Sequence, residues 1–298
     1  MASSSGVAAP VTAARAAEVA ASHDDKVSRF LQTQVKGSPA AGKATWHLVT
    51  LESLSVEERA AVAWLIADAI LRSRCGRASI YQIWRRAALA GQTLSAEDRR
   101  RMTPFVRDVF GLPDAPGNED HVEGHVAEWL WYLLMWERNE DRKIVLLEPP
   151  KFTVTDSGHD GFIVYALAGL PLVFRLWELK KQVGTGTVSS TISGAYGQLQ
   201  TQGERYLAQL VSVHSDKGGE LGELCGQLVD LWVEADNRAG VGVGVTSATL
   251  PPPGKAFSTM GTQFQQFAEP GQLEGLLCAV QEYHDLALAV RSYVWTAL

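Results

Sequence analysis

Apolar residues recur at helical spacing through the first third of the chain, where three segments carry helix-start signals. Ser55 with Glu58 forms a capping-box pattern, which predicts a helix to about residue 74. A second helix is predicted over residues 79–90, and a third, which begins with a Ser-x-x-Asp pattern, over 95–110. The pattern therefore predicts a helical region ahead of the Pro- and Gly-rich run that follows.

That run, at residues 111–120, separates the helical region from a segment in which helical and strand-like periods alternate. Short runs rich in Val, Ile, Phe and Trp predict strands, whereas longer runs with helical period predict helices. The V-G-V-G-V run is typical of a strand that another backbone approaches closely. The predicted elements are a helix over 121–138, strands over 143–148, 151–155, 160–167 and 171–180, helices over 190–213 and 220–236, and a last amphipathic helix over 271–294.

Charged residues lie at the ends of a predicted β-hairpin, whose sequence is D-G-F-I-V-Y-A-L-A-G-L-P-L-V-F-R-L-W-E-L-K. Side chains alternate across a strand, so Glu178 and Lys180 share one face while Leu179 points to the other. A divalent cation such as Mg²⁺ or Mn²⁺ needs hard oxygen ligands, which Asp160, Glu178 and the backbone carbonyl of Leu179 can supply. Lys180 would then lie beside a metal-bound water, which loses a proton more readily than bulk water.

An acid, a gap and then acid-x-Lys on the next strand is an order that resembles the PD-(D/E)XK nuclease superfamily. Upstream, the run G-H-V-A-E-W-L-W-Y-L-L looks like the family's first core helix, in which a glycine is followed four residues on by a glutamate, here Glu128. Downstream, Gln202 and Tyr206 are similar to the Q-x-x-x-Y helix motif of one branch of the superfamily. The resemblance covers about residues 120–215, roughly a third of the chain.

The resemblance implies an α/β protein with a restriction-endonuclease-like core, a mixed central β-sheet flanked by helices, preceded by a helical N-terminal region. It implies a Mg²⁺- or Mn²⁺-dependent hydrolase of phosphodiester bonds in nucleic acid, DNA more than RNA. Asp160 and Glu178 would hold the metal, Glu128 would complete its shell, and Lys180 would manage the attacking water. Gln202 and Tyr206 would touch the substrate backbone or support the site. Nucleases of this type serve restriction, repair or prokaryotic antiphage defence beside a partner such as a helicase or sensor subunit.

Two alternatives stay open at this point. On a helical wheel Glu123 lies closer to the main apolar stripe than Glu128, so either acid can face the sheet. The chain can also be a non-catalytic adaptor with a degenerate nuclease-like core, which would have no use for the acids and Lys180 together. A zinc site at His121 and His125 is disfavoured, because the acid of H-V-E-G-H occupies the wrong position for a metalloprotease motif.

Charge argues against nucleic-acid binding overall but for it locally. The formal net charge is −6, whereas phosphate binding rests on Lys and Arg. Between Arg72 and Arg107, however, nine arginines face only Glu97 and Asp98. Arginine suits phosphate because its planar fork donates bidentately. We expect the following members of this basic region to contact the substrate: Arg99, Arg100 and Arg101.

Composition predicts three parts and a reducing compartment. Residues 1–44, rich in Ala, Ser and Gly, are predicted to be mobile at least to about residue 24, residues 45–115 to form the helical region with its basic patch, and residues 116–298 to form the nuclease-like core with C-terminal helices. The three cysteines are odd in number and lack metal-ligand spacing, which suits the cytoplasm. No run has the length of a membrane span or the form of a secretory signal, so no membrane partner is expected.

Overall fold

A seven-stranded mixed sheet forms the centre of the computed structural model, which describes residues 10–37, 43–137, 142–152, 159–167, 169, 171–184, 186–249 and 256–298. The spatial order of the strands is β1-β2-β9-β8-β7-β6-β5, and the neighbours from β2 to β7 run parallel while the outer pairs are antiparallel. The strands are β1 (Thr33–Lys36), β2 (Thr45–Leu51), β5 (Lys143–Leu147), β6 (Gly161–Ala166), β7 (Val173–Gln182), β8 (Val241–Ser247) and β9 (Leu273–Val280), with a separate small ribbon of β3 (Gly111–Leu112) and β4 (Ala115–Pro116).

Helices cover both faces of the sheet, so the protein is of the α/β class with two hydrophobic cores. One face packs against α1 to α5 and α10, and the other against α6 to α9. The helices are α1 (Ala13–Ala21), α2 (Val56–Cys75), α3 (Ser79–Ala90), α4 (Ala96–Phe110), α5 (Glu119–Glu137), α6 (Val188–His214), α7 (Gly219–Gly226), α8 (Leu228–Val233), α9 (Met260–Gln263) and α10 (Tyr283–Trp295).

Alternation along the hairpin strands divides their side chains between the two cores. In β6, Ile163 and Tyr165 belong to the core under α5, whereas Phe162 and Val164 belong to the core under α6. A strand buried on both faces reads as a continuous apolar run, as F-I-V-Y does here. The glycines of the V-G-V-G-V strand admit neighbouring side chains rather than another backbone, because a Cβ at Gly242 would lie 2.1 Å from the Trp177 ring.

The predicted helices over 55–74, 79–90 and 95–110 are confirmed as α2, α3 and α4. Ser55 accepts a hydrogen bond from the Glu58 backbone, and the Glu58 side chain accepts one from Ser55, which completes the capping box. The hairpin is confirmed as β6 and β7, which pair antiparallel. The predicted strand over 151–155 falls largely outside the described residues, and Lys151 and Phe152 are not in a strand.

The prediction of one helix over 271–294 is wrong, because Leu273–Val280 forms β9 and only Tyr283–Trp295 is helical. The strand lies between β2 and β8 with every residue buried, so its sequence lacks the polar alternation that marks a half-buried strand. Glu282, with a positive φ of 55°, separates the strand from the helix.

The N-terminal part differs from the expected mobile segment. Ala13–Ala21 forms α1, which Thr12 caps and which buries Ala13, Ala16 and Ala20 mainly against α2. Small side chains let the two helices pack closely, which a compositional criterion does not register. Residues 1–9 lie outside the described part of the chain. The expected boundary at residue 116 also does not divide the sheet, because β1 and β2 join the same sheet as β5 to β9.

Candidate metal-dependent active site

The register of the hairpin brings Asp160 beside Glu178. Gly161 pairs with Trp177, so the residue that precedes β6 lies next to the residue that follows Trp177 in β7. The backbone N–H of Leu179 donates a hydrogen bond to Asp160 Oδ2 at 2.9 Å. This bond fixes the first carboxylate at the place where the acid-x-Lys run begins.

Glu178 and Lys180 point to the α6 face of the sheet, as alternation along β7 predicts. Lys180 Nζ donates to Glu178 Oε1 at 2.5 Å and to Gln198 Oε1 of α6 at 3.1 Å. Burial alone would lower the pKa of Lys180, but the neighbouring Glu178 and Asp160 charges outweigh burial and raise it above its usual value. Lys180 is therefore a cation at neutral pH that is aimed by two partners.

The Glu178 carboxylate lacks a cation on one side. Its side chain is 0% exposed, and its Oε2 atom finds no hydrogen-bond partner among the described residues. Burial, together with the Asp160 charge, raises the pKa of Glu178. A buried carboxylate oxygen beside a second carboxylate is a place where a divalent cation would relieve both desolvation and repulsion. The residues present therefore fit a Mg²⁺ or Mn²⁺ ion.

Glu128 lies on the side of α5 that faces this group. It borders a cleft of about 210 Å³, whose lining residues are Asp120, His121, Gly124, Ala127, Glu128, Leu179, Lys180 and Lys181. Burial and the Asp160 charge raise the pKa of Glu128 to about 8, while the Lys180 charge acts in the opposite direction. The structure thus brings Glu128, Asp160, Glu178 and Lys180 into one electrostatically interacting group.

Glu123, the other acid considered on this helix, is occupied elsewhere. Its carboxylate accepts hydrogen bonds from Lys181 Nζ at 2.5 Å and from His284 Nδ1 of α10 at 2.7 Å. Burial opposes ionisation of Glu123, but these two partners lower its pKa below the usual value. Glu123 therefore acts as an ionised tie between α5, β7 and α10, and Glu128 is the acid that remains for the site.

Gln198, which the sequence comparison passed over, is the glutamine that contacts Lys180. Its Nε2 also donates to the Tyr206 hydroxyl at 3.2 Å, so Tyr206 is joined to the site through Gln198. Gln202 is partly exposed, and no hydrogen bond of its side chain is found within the described ranges. The signal was present in the sequence, because Gln198, Gln202 and Tyr206 follow one another at intervals of four on one helix face.

The histidine pair on α5 does not form a metal site. His125 is buried, and its Nε2 lies 3.0 Å from Arg74 Nη2 and 2.9 Å from Trp129 Nε1. Burial and the Arg74 charge hold the pKa of His125 well below its usual value, so the ring is a neutral acceptor. In the part of the chain that the structure describes, no group of three or more His, Cys, Asp or Glu side chains is arranged to hold a metal. The candidate ligand set instead combines two carboxylates with a main-chain carbonyl.

The basic region divides into structural and exposed arginines. Arg74 donates to the Phe105 and Phe152 carbonyls, and Arg85 pairs with Asp68, so both hold the fold together. On α4, Arg101 pairs with Glu97 and Asp98, Arg99 lies 3.9 Å from Asp114, and Arg100 is exposed. All the acidic partners on α4 are themselves on the surface, so these arginines can exchange them for phosphates.

Neither a protein-family model nor a curated protein matches the chain. Among the helices that the structure describes, none combines the length and the apolar composition that a membrane crossing requires. What this chain can do is therefore argued from its own residues.

Proposed function

We propose that this protein is a Mg²⁺- or Mn²⁺-dependent nuclease with a restriction-endonuclease-like core, acting on nucleic acid and most readily on DNA. The observation that carries the proposal is the buried, unpartnered Oε2 of Glu178 beside Asp160, with Lys180 held one residue pair away on the same strand face. Two repelling carboxylates and an aimed lysine are costly to bury without a ligand. A purely structural site would lose nothing by replacing them with apolar residues.

The roles follow from the position of each group. Asp160, Glu178 and the Leu179 carbonyl would hold the cation, which would polarise a phosphate oxygen and make a bound water more acidic. Lys180, a cation because its pKa is raised, donates to the attacking water and to the charge that develops on phosphorus. Gln198 and Tyr206 keep the lysine amine aimed at the cleft. Glu128, which holds a proton near neutral pH, completes the acidic wall.

The acidic balance of the chain is compatible with a polyanionic substrate because the charges are segregated. Carboxylates that gather a metal make an active site acidic, and the exposed arginines of the helical region supply a separate surface for phosphates. We place the protein in the cytoplasm, where its three free, buried cysteines stay reduced, beside a protein partner such as a helicase or sensor subunit.

Glu128→Gln is expected to abolish Mn²⁺-dependent cleavage of linear, circular or single-stranded DNA, whereas Glu123→Gln cleaves at close to the wild-type rate. Both variants keep the size of the side chain, and the amide at position 123 can still bond to Lys181. The measurement is cleavage with and without Mn²⁺, beside circular dichroism of both variants to confirm folding. The matched pair removes one carboxylate each from the same helix.

An active Glu128→Gln with a dead, folded Glu123→Gln would reverse the assignment of the upstream acid. If the wild type neither cleaves any of the substrates nor binds Mn²⁺ in calorimetry, the nuclease proposal fails and the adaptor interpretation replaces it. Mn²⁺ binding without cleavage would instead support the metal site and indicate that the chemistry requires the partner subunit.

Replacing Arg99, Arg100 and Arg101 together with Gln is expected to weaken DNA binding and flatten its salt dependence. Each lost phosphate contact removes about one unit from the slope of log K against log[salt]. The matched control replaces three exposed arginines outside α4, namely Arg72, Arg77 and Arg86. An unchanged slope in the α4 variant, measured by fluorescence anisotropy at several salt concentrations, would assign its arginines to solvent or to a protein partner.

A further inference from the structure

A second cavity of about 350 Å³ opens on the α5 face of the sheet, towards the C-terminal end of that helix. Leu134 and Met135 form its helical wall, while the candidate active site lies near Glu128, about 9 Å away along the axis at 1.5 Å per residue. The cavity is of the size that small-molecule sites commonly have. Its other walls come from β1, β2, β6, β7 and β9 and from the turn before β9.

Buried polar groups without partners line this cavity. Tyr165 and Trp177 are each 1% exposed, and neither the Tyr165 hydroxyl nor Trp177 Nε1 has a hydrogen-bond partner among the described residues. The Thr45 hydroxyl is in the same position. Indole can only donate, and burial raises the pKa of Tyr165, so its hydroxyl keeps its proton and can donate as well. The cavity therefore presents donors that await an acceptor.

Positive charge exceeds negative charge around the cavity. Glu274 accepts hydrogen bonds from the two terminal nitrogens of Arg142 and lies 3.3 Å from Arg175 Nε, so two guanidinium groups share one carboxylate. Lys36 adds a third cation on the exposed edge strand. The Arg142 guanidinium also lies 3.9 Å from the centre of the Tyr165 ring, which places this charge directly beside the unpartnered hydroxyl.

We propose that this cavity binds a small organic anion, whose apolar body packs between Trp177, Leu134 and Leu276 and whose carboxylate or phosphate accepts from Tyr165 and Trp177. The apolar walls exclude a simple inorganic anion as the complete ligand, since such an ion leaves them unfilled. The donor set excludes a cation, and the surplus of positive charge favours an anion over its neutral analogue. The site is separate from the proposed nuclease centre and requires no metal.

Titration calorimetry in the presence of EDTA tests this with two pairs of probes: AMP against adenosine, and indole-3-carboxylate against indole. We expect at least one anion to bind with a Kd of about 1 mM or lower, and about tenfold more tightly than its neutral partner. The pairs also distinguish a phosphate ligand from a carboxylate ligand. Inorganic phosphate alone is expected not to reach this affinity.

Tyr165→Phe and Tyr196→Phe form a matched pair for the same measurement. Both hydroxyls are buried without partners, but Tyr196 belongs to the opposite core under α6 and does not line the cavity. Removing an unpartnered buried hydroxyl leaves the free protein as stable as before or more so, therefore both variants should fold. Tyr165→Phe is expected to bind the anion about tenfold more weakly, while Tyr196→Phe binds it like the wild type.

The proposal is overturned if neither anion binds at about 5 mM, the range of very weak ligands, or if each neutral probe binds as tightly as its anion. It is equally overturned if Tyr165→Phe binds like the wild type, or if Tyr196→Phe loses the same affinity. Because EDTA removes divalent cations, none of these outcomes depends on whether the chain cleaves nucleic acid.

Discussion

Replacing Lys180 with alanine is expected to lower metal-dependent cleavage by about 10²- to 10⁴-fold, the usual contribution of a positioned acid or base, while Mn²⁺ binding persists. The amine of Lys180 contacts Glu178 and Gln198 and is the one proposed group that donates to the attacking water. The two carboxylates that would hold the cation are unchanged in this variant. A cleavage assay beside Mn²⁺ calorimetry separates loss of chemistry from loss of metal.

Lys143→Ala provides the control, because it removes an exposed lysine from β5 and should leave the cleavage rate unchanged. If Lys180→Ala cleaves as fast as the wild type, its role in catalysis is refuted. If both chains bind Mn²⁺ but Lys180→Ala also loses that binding, Lys180 serves to organise the carboxylates rather than to handle the water.

Glu178→Gln is expected to lose both Mn²⁺ binding and cleavage, and to change how stability depends on pH. Burial and the Asp160 charge raise the pKa of Glu178 to about 8, above its ordinary value of 4.5. The metal-free folded state therefore keeps a proton that the unfolded chain gives up, and the stabilisation present below pH 4.5 is lost as pH rises towards 8. An amide cannot ionise, so the variant should lose less stability over this range.

Thermal unfolding in EDTA at several pH values measures this difference. The unfolding temperature of the wild type should fall more steeply between pH 4.5 and 8 than that of Glu178→Gln. Added Mn²⁺ should raise the wild-type value at the upper end of the range and leave the variant unaffected. Parallel pH profiles for the two chains, together with equal Mn²⁺ affinity, would refute a buried metal-binding carboxylate at this position.

The hairpin and its charges were predictable because local signals agree there. Apolar runs, a Gly-Pro turn and the two-residue period fix which residues share a face, and pairing of Gly161 with Trp177 then places Asp160 next to Glu178. The partners of Lys180 were less accessible. Gln198 and Gln202 occupy the same helix face, and only the docking of α6 against β7 decides which of them reaches the amine.

The choice between Glu123 and Glu128 shows a limit of periodicity. Helix α5 is apolar nearly all round, since its buried residues lie on several sides, and a helical wheel then gives no clear inward face. The structure distinguishes the two acids through residues that are distant in sequence, because Lys181 and His284 bind Glu123. No pattern within the helix itself contains that information.

Strand β9 was misread as helix for a related reason. Its sequence, L-E-G-L-L-C-A-V, is buried on both faces, and a short apolar run of this kind fits a helix or a central strand equally well. Its embedded charge has a partner from another element, because Glu274 is held by Arg142 and Arg175. Parallel pairing with β2 and β8 is decided by tertiary contacts rather than by local preference.

The insertion of β9 between β2 and β8 also sets an order on biosynthesis. Thr45 leaves the ribosome early, yet its partner Glu274 is translated more than two hundred codons later. Until then β2 has an open edge, and β8, which supports the strand that carries Glu178 and Lys180, lacks its outer neighbour. A ribosome in the middle of this message therefore holds the acids and the lysine without the finished sheet, and a nuclease made in this way acquires its chemistry late in translation.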